Sequence, residues 1–186
     1  MKEPQITGED VLTHLRDRDE PRLLSGILCE HVASVRTMIS QMVLNEADAD
    51  DLTQEVFLRA IRGIRGFQGK SQLSTWLHRI AMNTVRSFLR SRNRPQPASG
   101  EALLDRVDLR AFPPEQLAIA DEFDNAITAA MGSLPPALRA AVVLTMMQGL
   151  GVREAARIEG CAAATMYWRM HKARKILKKR LEKYLT

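Results

Sequence analysis

At 186 residues the chain has room for one medium domain or two small ones. Apolar residues make up 45% and charged residues 26%, which fits an ordinary globular protein and excludes a disordered chain. Aromatics are only 5%, and the good helix formers Ala, Leu, Arg, Met and Glu dominate, which predicts an all-α fold. The formal net charge of +5 excludes little by itself; its distribution says more. Between Glu46 and Glu55 every charge is acidic (Glu46, Asp48, Asp50, Asp51, Glu55), and the next carboxylate is Glu101. Arg59, Arg62, Arg65, Lys70, Arg79, Arg86, Arg90, Arg92 and Arg94 lie between. A second basic stretch runs from Arg169 to Lys183, with Glu182 as its lone acid. A solvated helix face ordinarily mixes signs, so two long one-signed stretches favour contact with a polyanion. Cys29 and Cys161 lack the paired spacing of a zinc site or disulfide framework. No run approaches the roughly 18 apolar residues of a membrane span. MKEPQITGED lacks the apolar segment of a secretory signal, so a cytoplasmic location is expected.

In chain order, a helical pattern starts near Val11 or Pro21, and Leu24, Ile27, Leu28, Val32, Val35, Ile39, Met42 and Val43 recur at three- and four-residue steps. Asn45-Glu46-Ala47-Asp48 interrupts it, with Asp48 able to cap the next helix. That helix turns Leu52, Val56, Phe57, Ala60, Ile61 and Ile64 inward. Gly63, Gly66 and Gly69 then make a loop around Phe67. A third helix is predicted from about Leu73 to Leu89, with Trp76, Leu77, Ile80, Ala81, Val85, Phe88 and Leu89 inward. These elements form a first domain, 1–92. Pro95, Pro97, Ser99, Gly100, Pro113 and Pro114 mark residues 93–114 as a flexible linker, either a tether or a segment that threads a partner. The second domain, 115–186, opens with Leu117, Ala120, Phe123, Ile127 and Met131 inward. Pro136 then fits the first turn of a further helix reaching Gly149.

A helix-turn-helix follows, from about Gly149 to Arg174. Val152 to Ile158 forms its first helix, Gly160-Cys161 the turn, and Ala163 onward the second helix. The sharp turn suits a residue at ease with positive φ, which is the role of Gly160. Ala155, Ala156 and Ile158 face inward, as do Met166, Met170 and Ala173. Thr165, Tyr167, Trp168, Arg169, His171, Lys172 and Arg174 point in other directions, and such a helix can enter a major groove. Trp168 serves equally as a core residue on this pattern.

The span DADDLTQEVFLRAIRGIRGFQGKSQLSTWLHRIAMNTVRSFLRSRNR, Asp48 to Arg94, resembles region 2 of the extracytoplasmic-function (ECF) sigma factors of bacterial RNA polymerase. LPPALRAAVVLTMMQGLGVREAARIEGCAAATMYWRMHKARKIL, Leu134 to Leu177, resembles their region 4. The resemblance implies two small helical domains that bind core RNA polymerase (β′ clamp and β flap) and promoter DNA, with an anti-sigma factor as a further partner. It places Asp51, Gln54, Glu55 and Phe57 on the surface that docks on the β′ clamp. GFQGKS, with Phe67, Lys70 and Ser71, resembles the loop that captures a base flipped from the −10 element. TWLHRIAMNTVR resembles the −10-reading helix, where Arg79, Asn83 and Arg86 share one face. Trp76 there serves as well in the core as on DNA. The second helix of the helix-turn-helix resembles the −35 reader, through Thr165, Tyr167, Trp168, Arg169, His171 and Lys172. The family commonly has Gly-Thr-Val-Lys-Ser-Arg where this chain has Ala164-Thr165-Met166-Tyr167-Trp168-Arg169. Glu159 stands where Leu is usual, and Gly151 where Ser caps the first helix.

The expected function is therefore non-catalytic: selecting promoters for polymerase and helping to open them, with no cofactor, metal or small-molecule substrate. Two alternatives differ. A helix-turn-helix regulator acting without polymerase leaves the 48–94 block unexplained. A metal-dependent nuclease would use Asp48, Asp50, Asp51 and Glu55 as ligands, but no partner carboxylates follow in the basic stretch.

Overall fold

The computed structural model describes Gly26, residues 28–92 and residues 118–184. The expected helix start near Val11 or Pro21, the positions Leu24, Ile27 and Leu117, the side chain of Ala120 and the linker 93–114 lie outside the described residues. Every regular element among the described residues is helical.

The first unit contains α1 (Val32–Val43), α2 (Glu46–Gly63), a 3-10 turn (Ile64–Gly66) and α3 (Leu73–Arg92). Leu44 ends α1 in the left-handed region, its N–H returning to the Ser40 carbonyl at 2.8 Å. One residue later Asn45 is extended, and its Oδ1 accepts from the Asp48 N–H at 2.9 Å. The cap of α2 is thus Asn45 and not Asp48: the helix begins earlier than expected, and Asp48 sits in its first turn with Glu46, where carboxylates complement the helix dipole. Arg36 of α1 clasps this turn, donating to Asp50 at 2.6 Å and to Glu46 at 2.8 Å. Met38, Ile39, Leu52, Val56, Leu77 and Ala81 bring the three helices together below the surface. Each large apolar side chain so buried contributes about 1.5–3 kcal/mol.

The second unit contains α4 (Ala118–Gly132), α5 (Pro136–Val142), a π-helical turn (Val143–Met147), α6 (Val152–Glu159), α7 (Ala163–Leu181) and a closing 3-10 turn (Glu182–Tyr184). Pro136 occupies the first turn of α5 as predicted. Phe123 does not face inward. It is 43% exposed, because it lies beyond the end of the core, where Tyr184 meets its ring edge-on at 5.6 Å.

The two units abut, and their buried side chains form one continuous apolar cluster. Arg139 of α5 sits at the junction with its guanidinium buried. It donates to the carbonyls of Met131 (3.0 Å), Gly132 (3.0 Å) and Leu134 (3.3 Å), and across the junction to Met42 (2.6 Å). Met131, Gly132 and Met42 stand at helix C-termini, whose orphan carbonyls and negative dipole ends suit a cation.

Candidate nucleic-acid interface

The helix-turn-helix forms as the sequence predicts. Gly160 takes φ 64°, its N–H reaches the Arg157 carbonyl at 3.3 Å, and the Cys161 N–H reaches Ala156 at 3.0 Å. These two bonds satisfy the last carbonyls of α6 while reversing the chain, a Schellman turn. Gly151 opens α6 without a side-chain cap. Ala155, Ala156 and Ile158 are buried, as are Met166 and Ala173 of α7, while Met170 packs on the core edge. This anchoring leaves Thr165, Tyr167, Trp168, His171 and Lys172 exposed. Trp168 is 57% exposed with Lys172 Nζ 4.8 Å from its ring centre, so of its two readings the core one falls. Tyr167 is 61% exposed. Arg169 is different: its side chain is 20% exposed and donates to Glu159 at 3.1 Å.

On α3, Arg79, Asn83, Arg86 and Arg90 fall along one stripe at three- and four-residue steps, opposite buried Leu77, Ala81 and Thr84. Arg79, Asn83 and Arg90 are exposed. Arg86 donates to Asn83 Oδ1 at 2.9 Å and to Glu159 of α6 at 2.8 Å. Thr75, nearer the start of α3, donates to Glu154 of α6 at 2.5 Å. The loop before α3 exposes Lys70 and Ser71 beside Gly69 at φ 67°. Phe67, expected on the DNA surface, is instead 5% exposed, its ring 5.5 Å from that of Trp76. Trp76 is half-buried, lies 3.5 Å from where a side chain on Gly63 would begin, and so seals the loop onto the end of α2. A large ring in a glycine-rich loop is driven inward because little else there can anchor the backbone to the core.

On α2, Asp51, Gln54 and Glu55 are exposed, whereas Phe57 is half-buried against the core. Leu58 (54% exposed) and Ile61 (56% exposed) join the outer stripe with Asp51 and Gln54. Ile61 was expected inward. Successive 100° steps put positions 51, 54, 58 and 61 together, opposite buried Leu52, Val56 and Ala60, so the helical period held the signal. Three of the four carboxylates that a metal site would use are held in ion pairs, and the fourth, Asp51, is exposed. Asp48 accepts from Arg92 at 2.8 Å, Asp50 from Arg36 at 2.6 Å, and Glu55 from Arg59 at 2.5 Å. No group of three or more His, Cys, Asp or Glu among the described residues could hold a metal ion.

A helix-turn-helix with an exposed second helix, joined to a second helical unit bearing an arginine stripe, defines a DNA-binding protein. The family profile Sigma-70 region 2 matches residues 29–95, and Sigma-70, region 4 matches residues 124–177. The ECF RNA polymerase sigma factor SigE of Mycolicibacterium smegmatis is 34% identical over 178 residues, covering 96% of this chain and 69% of that protein. The ECF RNA polymerase sigma-E factor of Escherichia coli K12 is 27% identical, covering 96% of both chains. The chain belongs to the ECF sigma factors of the sigma-70 family and is an alternative sigma factor. Two solved structures share its fold: the Bartonella quintana sigma factor RpoE in complex with the anti-sigma factor NepR (TM-score 0.65, 23% identity, 86% of this chain and 96% of that one), and CnrH in complex with the cytosolic domain of CnrY (TM-score 0.68, 21% identity, 92% and 95%).

Proposed function

We propose that the stripe on α2 docks on the β′ clamp of core RNA polymerase, that α3 and the preceding loop engage the −10 element, and that α7 reads the −35 element. The observation that carries this reading is the coexistence of two separate outward faces: one mixed acidic and apolar, one cationic. Asp51, Gln54 and Glu55 supply polar contacts to polymerase, and Leu58 and Ile61 supply apolar area at the centre, the arrangement protein interfaces favour. Phe57 supports that face from behind. Lys70, Ser71, Arg79 and Arg86 contact phosphate and Asn83 reaches a base, while Phe67 and Trp76 hold the capture loop in place. Thr165, Tyr167, Trp168, Arg169, His171 and Lys172 present the reading face of α7. The Tyr167-Trp168 pair suits thymine methyls better than guanine edges. The second unit also meets the β flap, and an anti-sigma factor is the regulatory partner, as NepR is for the Bartonella quintana sigma factor RpoE. The chain acts in the cytoplasm, without catalysing a reaction itself; among its described residues no helix is long and apolar enough to cross a membrane.

Arg79→Ala and Asn83→Ala test the assignment of α3. Each slows open-complex formation by the reconstituted holoenzyme about tenfold, through loss of a phosphate contact for Arg79 and of a base contact for Asn83, while core affinity stays unchanged. Loss of core binding in folded variants refutes it.

A further inference from the structure

The last residue of α6 carries a carboxylate held almost wholly out of water: the Glu159 side chain is 5% exposed. Its Oε1 accepts from Arg86 at 2.8 Å and its Oε2 from Arg169 at 3.1 Å. Arg86 belongs to α3 of the first unit and Arg169 to α7 of the second, so a single anion ties the two candidate DNA-contacting helices together. A carboxylate leaves water at a high cost unless both oxygens are paired, so its burial holds only while the units stay closed.

The apolar cluster shared by the units is interrupted beside the bridge. A cavity of about 410 Å³ opens beside the bridge, floored by Met42, Met82, Val85, Leu89 and Ala140. Four polar contacts also cross the junction: Arg86–Glu159, Thr75–Glu154, Arg139–Met42, and Gln148 to Gln41 at 3.2 Å. Water can satisfy each of these polar groups once the units part, which lowers the cost of opening on this side of the junction.

We infer that Glu159 is an internal stand-in for a DNA phosphate, holding Arg86 and Arg169 in a closed form that does not bind DNA. The inference rests on the reading of those arginines as DNA contacts. A guanidinium offers carboxylate and phosphate the same donors, so an arginine committed to Glu159 is withdrawn from the duplex. The effect is doubled because one carboxylate occupies one arginine from each unit. Asn83, whose Oδ1 accepts from Arg86, is drawn into the same arrangement. The DNA backbone, or a partner that separates the units, opens the clamp by replacing this one anion.

The test uses the full chain without polymerase, as wild type, Glu159→Gln and Glu159→Ala. Small-angle scattering reads the separation of the units, and anisotropy of a labelled random-sequence DNA duplex reads binding across a salt series. Circular dichroism selects folded variants, and two substitutions guard against one that fails to fold. Both variants scatter as larger particles than wild type and bind the duplex at least about tenfold more tightly. Their salt dependence steepens by about two units, one for each freed arginine at roughly 0.9 per phosphate. Adding Arg86→Ala and Arg169→Ala to Glu159→Gln abolishes the gain. Unchanged scattering, or expansion without tighter binding, overturns the inference. The promoter reading survives that result if wild-type holoenzyme still loses promoter opening on Arg86→Ala, and falls if it does not.

Discussion

Arg139 donates to the carbonyl of Met42 at 2.6 Å across 97 positions of sequence, while its other donors serve carbonyls at the end of α4 and in the turn before α5. One buried cation thus closes the C-termini of two helices, one from each unit. Burial lowers its pKa, but the negative helix ends and four carbonyl partners keep a charged guanidinium in place.

Arg139→Met leaves those carbonyls buried without donors and costs about 3 kcal/mol of unfolding free energy. Arg139→Lys recovers little, because a compact ammonium cannot span the same fork. Urea unfolding of the full chain measures both. A loss below about 1 kcal/mol in the Met variant would mean that water replaces the guanidinium.

Leu58 and Ile61 stand outside the core, more than half exposed, on the stripe that also carries Asp51 and Gln54. Leu58→Glu and Ile61→Glu leave the melting temperature within about 2 °C, as exposed positions should. Each weakens binding to core polymerase at least about tenfold, about 1.4 kcal/mol. Fluorescence anisotropy of labelled chain titrated with core enzyme checks this, and wild-type affinity in both variants would move the docking surface elsewhere.

His78 is buried in α3, and its pKa lies below the ordinary 6.5, chiefly through loss of hydration and secondarily through His31, with Glu154 opposing. The unfolded chain therefore binds a proton that the folded chain does not. Stability from this group is complete above pH 6.5 and declines as pH falls below it, by at most about 1.4 kcal/mol per pH unit. Thermal unfolding between about pH 5 and 7 reads the slope before carboxylates begin to titrate. His78→Gln flattens it; an unchanged slope would assign the dependence to another group.

The helical elements were legible because apolar spacing, Pro136 and Gly160 each act locally, within a turn of where they stand. What sequence reading missed depends on distance or on which side of a helix a residue falls. Ile61 matched an apolar pattern but not its inward angle, and Phe67 stood in a polar, glycine-rich loop whose anchor was invisible until Trp76 came alongside. Nothing within a turn of Arg139 or Glu159 marks either side chain as buried. Their burial arises only where the units meet, from partners 97 and 73 positions away. In the sequence Glu159 is distinctive only as a departure from the family's usual Leu.

Run-off transcription from a promoter library, with purified bacterial core polymerase and this chain, tests the central claim most directly. The chain converts core enzyme into one that initiates at a discrete set of promoters sharing −10 and −35 elements, and core alone does not. Failure to bind core, or initiation with no shared promoter element, would contradict the assignment of these helices to polymerase docking and promoter recognition.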